Sequence, residues 1–196
     1  GETAAPSPQR TERAAQFADQ FATLQGIASN SSAFMQHPSG TNGSTGFAIG
    51  IQRDGKAVVV ATQFDPGTNQ PGEAVAIRYT LTGALDSHFA TGGIFRLPAS
   101  VPATSHGWAY SVALQPDGKI VVAGHATARF MVARFLSNGA LDPGFGVGGL
   151  AKTEFGGTRD EANAVALQSD GQIVAAGLMV TANITQTNKF ALARYQ

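Results

Sequence analysis

The sequence predicts an all-β chain of three four-stranded antiparallel repeats, preceded by one N-terminal amphipathic helix. Three observations carry this. One stretch of residues is written three times: FAIGIQRDGKAVVVATQ (Phe47–Gln63) with AVAIRYT (Ala74–Thr80), then VALQPDGKIVVAGHATARFMVARF (Val112–Phe135), then AVALQSDGQIVAAGLM (Ala164–Met179) with FALARYQ (Phe190–Gln196). A fourth element follows the first two copies, GALDSHFATGGIFRLP (Gly83–Pro98) and GALDPGFGVGGLAKTEF (Gly139–Phe155). The third copy stops after its third strand, while Ala33–Gln36 (AFMQ) stands before the first copy, where a fourth strand stands before the others. Such an array, cut one strand out of phase, is how ring-shaped repeat proteins close, and closure would cover an exposed sheet edge.

Taken in order, residues 1–9 are rich in Pro, Ala and Ser and read as a disordered tail. Thr11–Leu24 predicts the helix, with Phe17, Phe21 and Leu24 on one stripe, Thr11 as cap and Gly26 as stop. So short a helix is marginal alone in water, and its stripe must dock on the β-domain or on a partner. The expected division is 1–30 for tail and helix and 31–196 for the repeat domain. Asp54-Gly55, Asp117-Gly118 and Asp170-Gly171 each separate two apolar runs and predict hairpins. Asp-Gly favours positive φ in the turn, so these acids serve geometry rather than chemistry.

Registering the third strands aligns Arg78, Arg134 and Arg194. In FALARY, strand alternation puts Phe190, Leu192 and Arg194 on one face and Ala191, Ala193 and Tyr195 on the other. An arginine on an apolar face needs a carboxylate, and the GALD aspartates Asp86 and Asp142 are the expected partners of Arg78 and Arg134. Arg194 has no such aspartate after it and must borrow a partner, from another chain if need be.

Lys plus Arg and Asp plus Glu are 13 each, so no field of one sign draws nucleic acid or an acidic membrane. Charged residues are 13% of the chain, about half the roughly 25% usual in soluble domains, and the 24 glycines suit a turn-rich β protein. Cysteine is absent, which removes disulfides, thiolate metal sites and a cysteine nucleophile. No apolar run reaches the roughly 18–20 residues of a membrane span. The start, GETAAPSPQ, holds no charged-then-apolar signal and reads as a processed end or a boundary chosen for expression.

The pattern AVALQ-x-DG-x-IV-x-AG, FALARY and GALD-x-x-FG-x-x-G resembles the delta-60 repeat family over about Phe47–Gln196. In the first unit Ile77 and Thr80 replace commoner residues and the loop Phe64–Glu73 is long. The resemblance implies β-propeller-like four-stranded blades and a secreted, periplasmic or cell-surface bacterial protein. It brings no catalytic or ligand-binding set. Propellers close with about four to eight blades. Three are too few, so the favoured expectation is a head-to-tail homo-oligomer in which each N-terminal strand completes the partner's last sheet, or a filament if the rotation does not close; the alternatives are a compact non-propeller arrangement and a piece of a longer protein.

Candidate chemistry is sparse. Gly144–Gly149 spells G-x-G-x-x-G, but a strand-like LAKTEF follows instead of the helix a dinucleotide site needs. His37, His88, His106 and His125 do not recur at equivalent repeat positions, and only His88 has an acid nearby, Asp86. Arg159-Asp160-Glu161 reads as a solvated loop. Asp142, Asp160 and Glu161 are the best calcium candidates, without the oxygen spacing of a calcium loop. Trp108 and Tyr110, just before a strand, are a candidate sugar platform that the other units do not repeat.

The expectation is therefore a non-catalytic exported structural or adhesive protein, with no cofactor, metal, nucleic acid or membrane span. It would act on itself or on another envelope or surface protein. Its interface residues would be Phe17, Phe21, Leu24, Phe34, Met35, Phe190 and Tyr195. The rival readings are an accessory subunit of a larger membrane or surface complex and a carbohydrate-binding module.

Overall fold

The structure, a computed structural model, describes residues 44–64, 71–97, 107–181 and 188–196. Among these there are eleven strands and no helix. The first sheet holds β1 (Ser44–Ile51), β2 (Ala57–Phe64), β3 (Pro71–Tyr79) and β4 (Ile94–Arg96) in that order. The second holds β5 (Trp108–Leu114), β6 (Ile120–Ala126), β7 (Arg129–Phe135) and β8 (Leu150–Thr153), again in order. The third has three strands: β9 (Arg159–Leu167), β10 (Ile173–Val180) and β11 (Asn188–Tyr195). All pairings are antiparallel. The expected helix over Thr11–Leu24 and the strand Ala33–Gln36 fall outside the described residues, within which the strands form three separate sheets and not a closed ring.

The Asp-Gly turns fold alike, by a route different from the expected one. In the first, Gly55 N–H donates to Gln52 O (2.9 Å) and Gln52 N–H to Lys56 O (2.8 Å), a tight turn closed by a glycine bulge. Only the glycines take positive φ, 82° at Gly55, 87° at Gly118 and 86° at Gly171. The aspartates do not take positive φ and use their carboxylates: Oδ1 accepts the N–H of Lys56 (3.2 Å), Lys119 (3.1 Å) and Gln172 (3.0 Å). The acids do serve the turn, as acceptors.

Strand alternation then stacks the sheets face to face. Val58, Val60, Ala74 and Ala76 of the first sheet pack on Ile120, Val122, Met131, Ala133 and Phe135 of the second. The opposite face of the second, Val121, Ala123, Phe130 and Val132, packs on Ile173, Ala175 and Ala191 of the third. With both faces covered, every residue of β6 is buried, which is why it reads as a continuous apolar run. Each large side chain buried this way contributes about 1.5–3 kcal/mol.

Candidate functional site where the inner strands meet

The innermost strands β1, β5 and β9 lie side by side, β5 between the other two. Each carries an irregularity at the same point, where its pairing slips by one residue: between Gly46 and Ala48, between Ala109 and Ser111, and opposite the Ala176/Gly177 step. The slip leaves Phe47, Tyr110 and Asn163 as the extra residues, and bulges of this kind re-aim side chains. It also demands a close backbone approach: a Cβ on Gly124 would lie 1.8 Å from the Trp108 carbonyl oxygen.

The result is a cluster drawn from all three sheets. Phe47 of β1 lies 5.5 Å from Trp108 and 5.4 Å from Tyr110, centre to centre, edge-on to the latter. Trp108, Tyr110 and His125 lie within 28° of parallel, with centres 5.8 to 6.4 Å apart. From β9, Arg159 Nε donates to Glu161 Oε1 at 2.8 Å. Burial, then the Glu161 charge, push the Tyr110 phenol up to about 12, against the opposing pull of Arg159. Burial and, after it, the Arg159 charge pull the His125 imidazole down to about 4, so it is neutral at pH 7. His125 is 6% exposed and neither ring nitrogen has a hydrogen-bond partner. Leaving a buried polar group unpaired costs about 1–3 kcal/mol.

This gathering was missed from the sequence, although a signal was present. Aligned on the Asp-Gly turns, Thr45, Trp108 and Glu161 share one repeat position, Phe47, Tyr110 and Asn163 a second, and Thr62, His125 and Leu178 a third. These are positions where the repeats disagree inside otherwise uniform strands. The reading of Asp160-Glu161 as a solvated loop is corrected: both lie in β9, at 0% and 7% exposure. Asp160 Oδ2 accepts the Phe155 N–H at 2.9 Å, and its other oxygen has no partner. Trp108 and Tyr110 lie inside β5, not before it.

The other predicted residues fall elsewhere. Arg78 Nε donates to Asp86 Oδ2 and Arg134 Nε to Asp142 Oδ2, each at 2.8 Å. Phe190 is on the open face of the third sheet, whereas Tyr195 turns inward, its hydroxyl 2.7 Å from Thr153 Oγ1. Arg194, exposed, has no ion pair among the described residues. His88 is exposed, with Nδ1 3.5 Å from Asp86 Oδ1. Gly144–Gly149 forms a turn with a strand after it. Phe17, Phe21, Leu24, Phe34, Met35, His37 and His106 lie outside the described residues. No group of three or more metal-ligating side chains gathers among the described residues, so Asp142, Asp160 and Glu161 do not form a calcium cage. At the opposite end of the inner strands, a groove of about 360 Å³ runs between the first two sheets past Gln52, Arg78 and Gln115. Its buried cation is already committed to Asp86 and to the Ser137 carbonyl.

Successive antiparallel sheets of four, four and three strands, packed face to face, make the described residues an all-β array of repeated sheets. A family model described as "Domain of unknown function (DUF5122) beta-propeller" matches residues 115–145, within the second repeat. No curated protein matches. A solved structure, a protein of unknown function from Bacteroides caccae, is similar at 16% identity and a TM-score of 0.43. The match covers 82% of this chain and 48% of that one, so the chain spans about half its length.

Proposed function

We propose that this is a non-catalytic, exported repeat protein of structural or adhesive role that works by assembly, with the third blade as its docking surface. One observation carries the reading. The strand face that holds the aligned arginine is covered by the next blade in the first two cases and bare in the third. Ala74 and Ala76 are 5% and 2% exposed and Phe130 and Val132 are both 0%, whereas Phe190 is 77% and Leu192 54% exposed. An apolar face of this kind beside an edge strand is a docking surface or an aggregation hazard. Among the described residues β11 also pairs on one side only, where each other sheet has a fourth strand. The occupant in this reading is a second copy, whose Ala33–Gln36 segment takes the fourth place beside β11 in head-to-tail assembly.

Light scattering on the intact chain tests this, with Phe190→Ser/Leu192→Ser and a variant lacking residues 1–40 alongside. A discrete mass of two or more chains, falling to the monomer in both variants, is expected. A monomer at every concentration would sink assembly and favour an accessory subunit that docks a different envelope or surface protein.

A further inference from the structure

We propose that the cluster at the meeting of the inner strands, Phe47, Trp108, Tyr110, His125, Arg159 and Glu161, is a single binding site for a neutral saccharide. It lies on the inner strands β1, β5 and β9 and on the neighbouring β6, away from the open edge of β11, and is independent of the assembly reading. The near-parallel Trp108 and Tyr110 rings offer the flat apolar surface on which the C–H face of a pyranose stacks. Beside them the Arg159 guanidinium and the Glu161 carboxylate, 2.8 Å apart, set donors next to acceptors. Neighbouring sugar hydroxyls, each both donor and acceptor, match that arrangement.

His125 points to the same ligand chemistry. A neutral imidazole has one donor and one acceptor nitrogen, and here both are buried without a partner. A sugar hydroxyl admitted beside the ring would satisfy either one. Charge selects against the alternatives: an anion would meet Glu161 and a cation would meet Arg159, whereas a neutral polyol uses both. The corresponding positions of the first and third blades hold Thr45, Thr62, Asn163 and Leu178, so the site occurs once per chain instead of once per blade.

The chain has one tryptophan, Trp108, so its emission reports this site alone. The intact protein is titrated with cellohexaose, maltohexaose and chitohexaose, with adenosine as a planar competitor and an oligoglucuronate as an anionic one. At least one neutral hexasaccharide is expected to give a saturable change at one site per chain. Glu161→Gln and His125→Phe should each weaken it about tenfold with the far-ultraviolet circular dichroism unchanged. Arg159→Met, at a half-exposed residue, replaces Glu161→Gln if that variant fails to fold. No saturable change with any of the three sugars at millimolar concentration overturns the proposal. So does tighter binding of adenosine or the oligoglucuronate, or full affinity retained in the folded variants.

Discussion

Arg78 and Asp86 are joined by a 2.8 Å bond from Nε to Oδ2, and the same guanidinium lies 4.6 Å from the centre of the Phe89 ring. The second sheet repeats this with Arg134, Asp142 and Phe145 at the same two distances. Lys56 and Lys119 add a second cation to each aspartate, at 3.0 and 3.5 Å. Asp86 Oδ1 meanwhile accepts the His88 N–H, so one carboxylate organises the whole GALD turn. Removing it leaves Arg78, 6% exposed, as a buried charge without its counter-ion. Asp86→Ala should therefore cost about 3 kcal/mol in urea unfolding. Arg194→Ala, at an exposed residue, should stay within about 0.5 kcal/mol when measured on the dilute chain.

Acid stability should fall in two stages. His125 is held at about 4 against an ordinary 6.5 by burial and by Arg159. The unfolded chain takes up that proton first, so stability is full above about pH 6.5 and declines as pH falls towards 4. Burial alone would raise the Asp86 carboxyl, but bonds from Lys56 and the His88 N–H, with the Arg78 charge, bring it down to about 2. Its contribution is present above the ordinary 3.8 and is lost between there and 2. His125→Phe should flatten the upper stage and leave the lower one. Urea midpoints of both proteins across this range check it, and an unchanged upper stage would remove His125 as its cause.

The turn between β6 and β7 is strained. Thr127 and Ala128 take φ of 55° and 57°, the left-handed pair that a two-residue hairpin of this kind fills with Asn-Gly. A left-handed residue with a Cβ costs about 1–2 kcal/mol, offset in part by the lower chain entropy of a non-glycine residue when unfolded. Thr127→Asn/Ala128→Gly should gain about 1 kcal/mol, read as a higher thermal midpoint. The Ala128 carbonyl accepts the Asp160 N–H at 2.9 Å, so a lower midpoint would mean that this contact governs the turn.

How far the sequence could be read follows from which interactions are local. The hairpins were legible because Asp-Gly between apolar runs determines a turn within a few residues. Arg78–Asp86 and Arg134–Asp142 were legible because strand and turn repeat as a unit. The central cluster was not. Its members reach one another only through sheet stacking and a slipped register, and nothing local in Arg159-Asp160-Glu161 tells a buried strand from a loop. Its trace in the sequence is the disagreement between repeats, at Thr62, His125 and Leu178 for example.

That slipped register is itself testable at Gly124, which pairs with Ala109 on β5. A Cβ there would lie 1.8 Å from the Trp108 carbonyl oxygen and 3.0 Å from the Ala109 Cα, so the backbone must move. Gly124→Ala should cost about 1–3 kcal/mol as overpacking. The movement falls on the residue that carries Trp108, so the emission maximum should shift as the ring leaves its contacts with Phe47, Tyr110 and His125. Gly118→Ala is the control: its positive φ of 87° makes it unfavourable too, but its nearest side-chain neighbour is Ser137 at 3.5 Å and Trp108 is not among its contacts. Destabilisation in both variants with an emission shift in Gly124→Ala alone would tie Trp108 to the bulge. An unshifted emission in Gly124→Ala would mean that the ring is held by the aromatic cluster and not by the backbone beneath it.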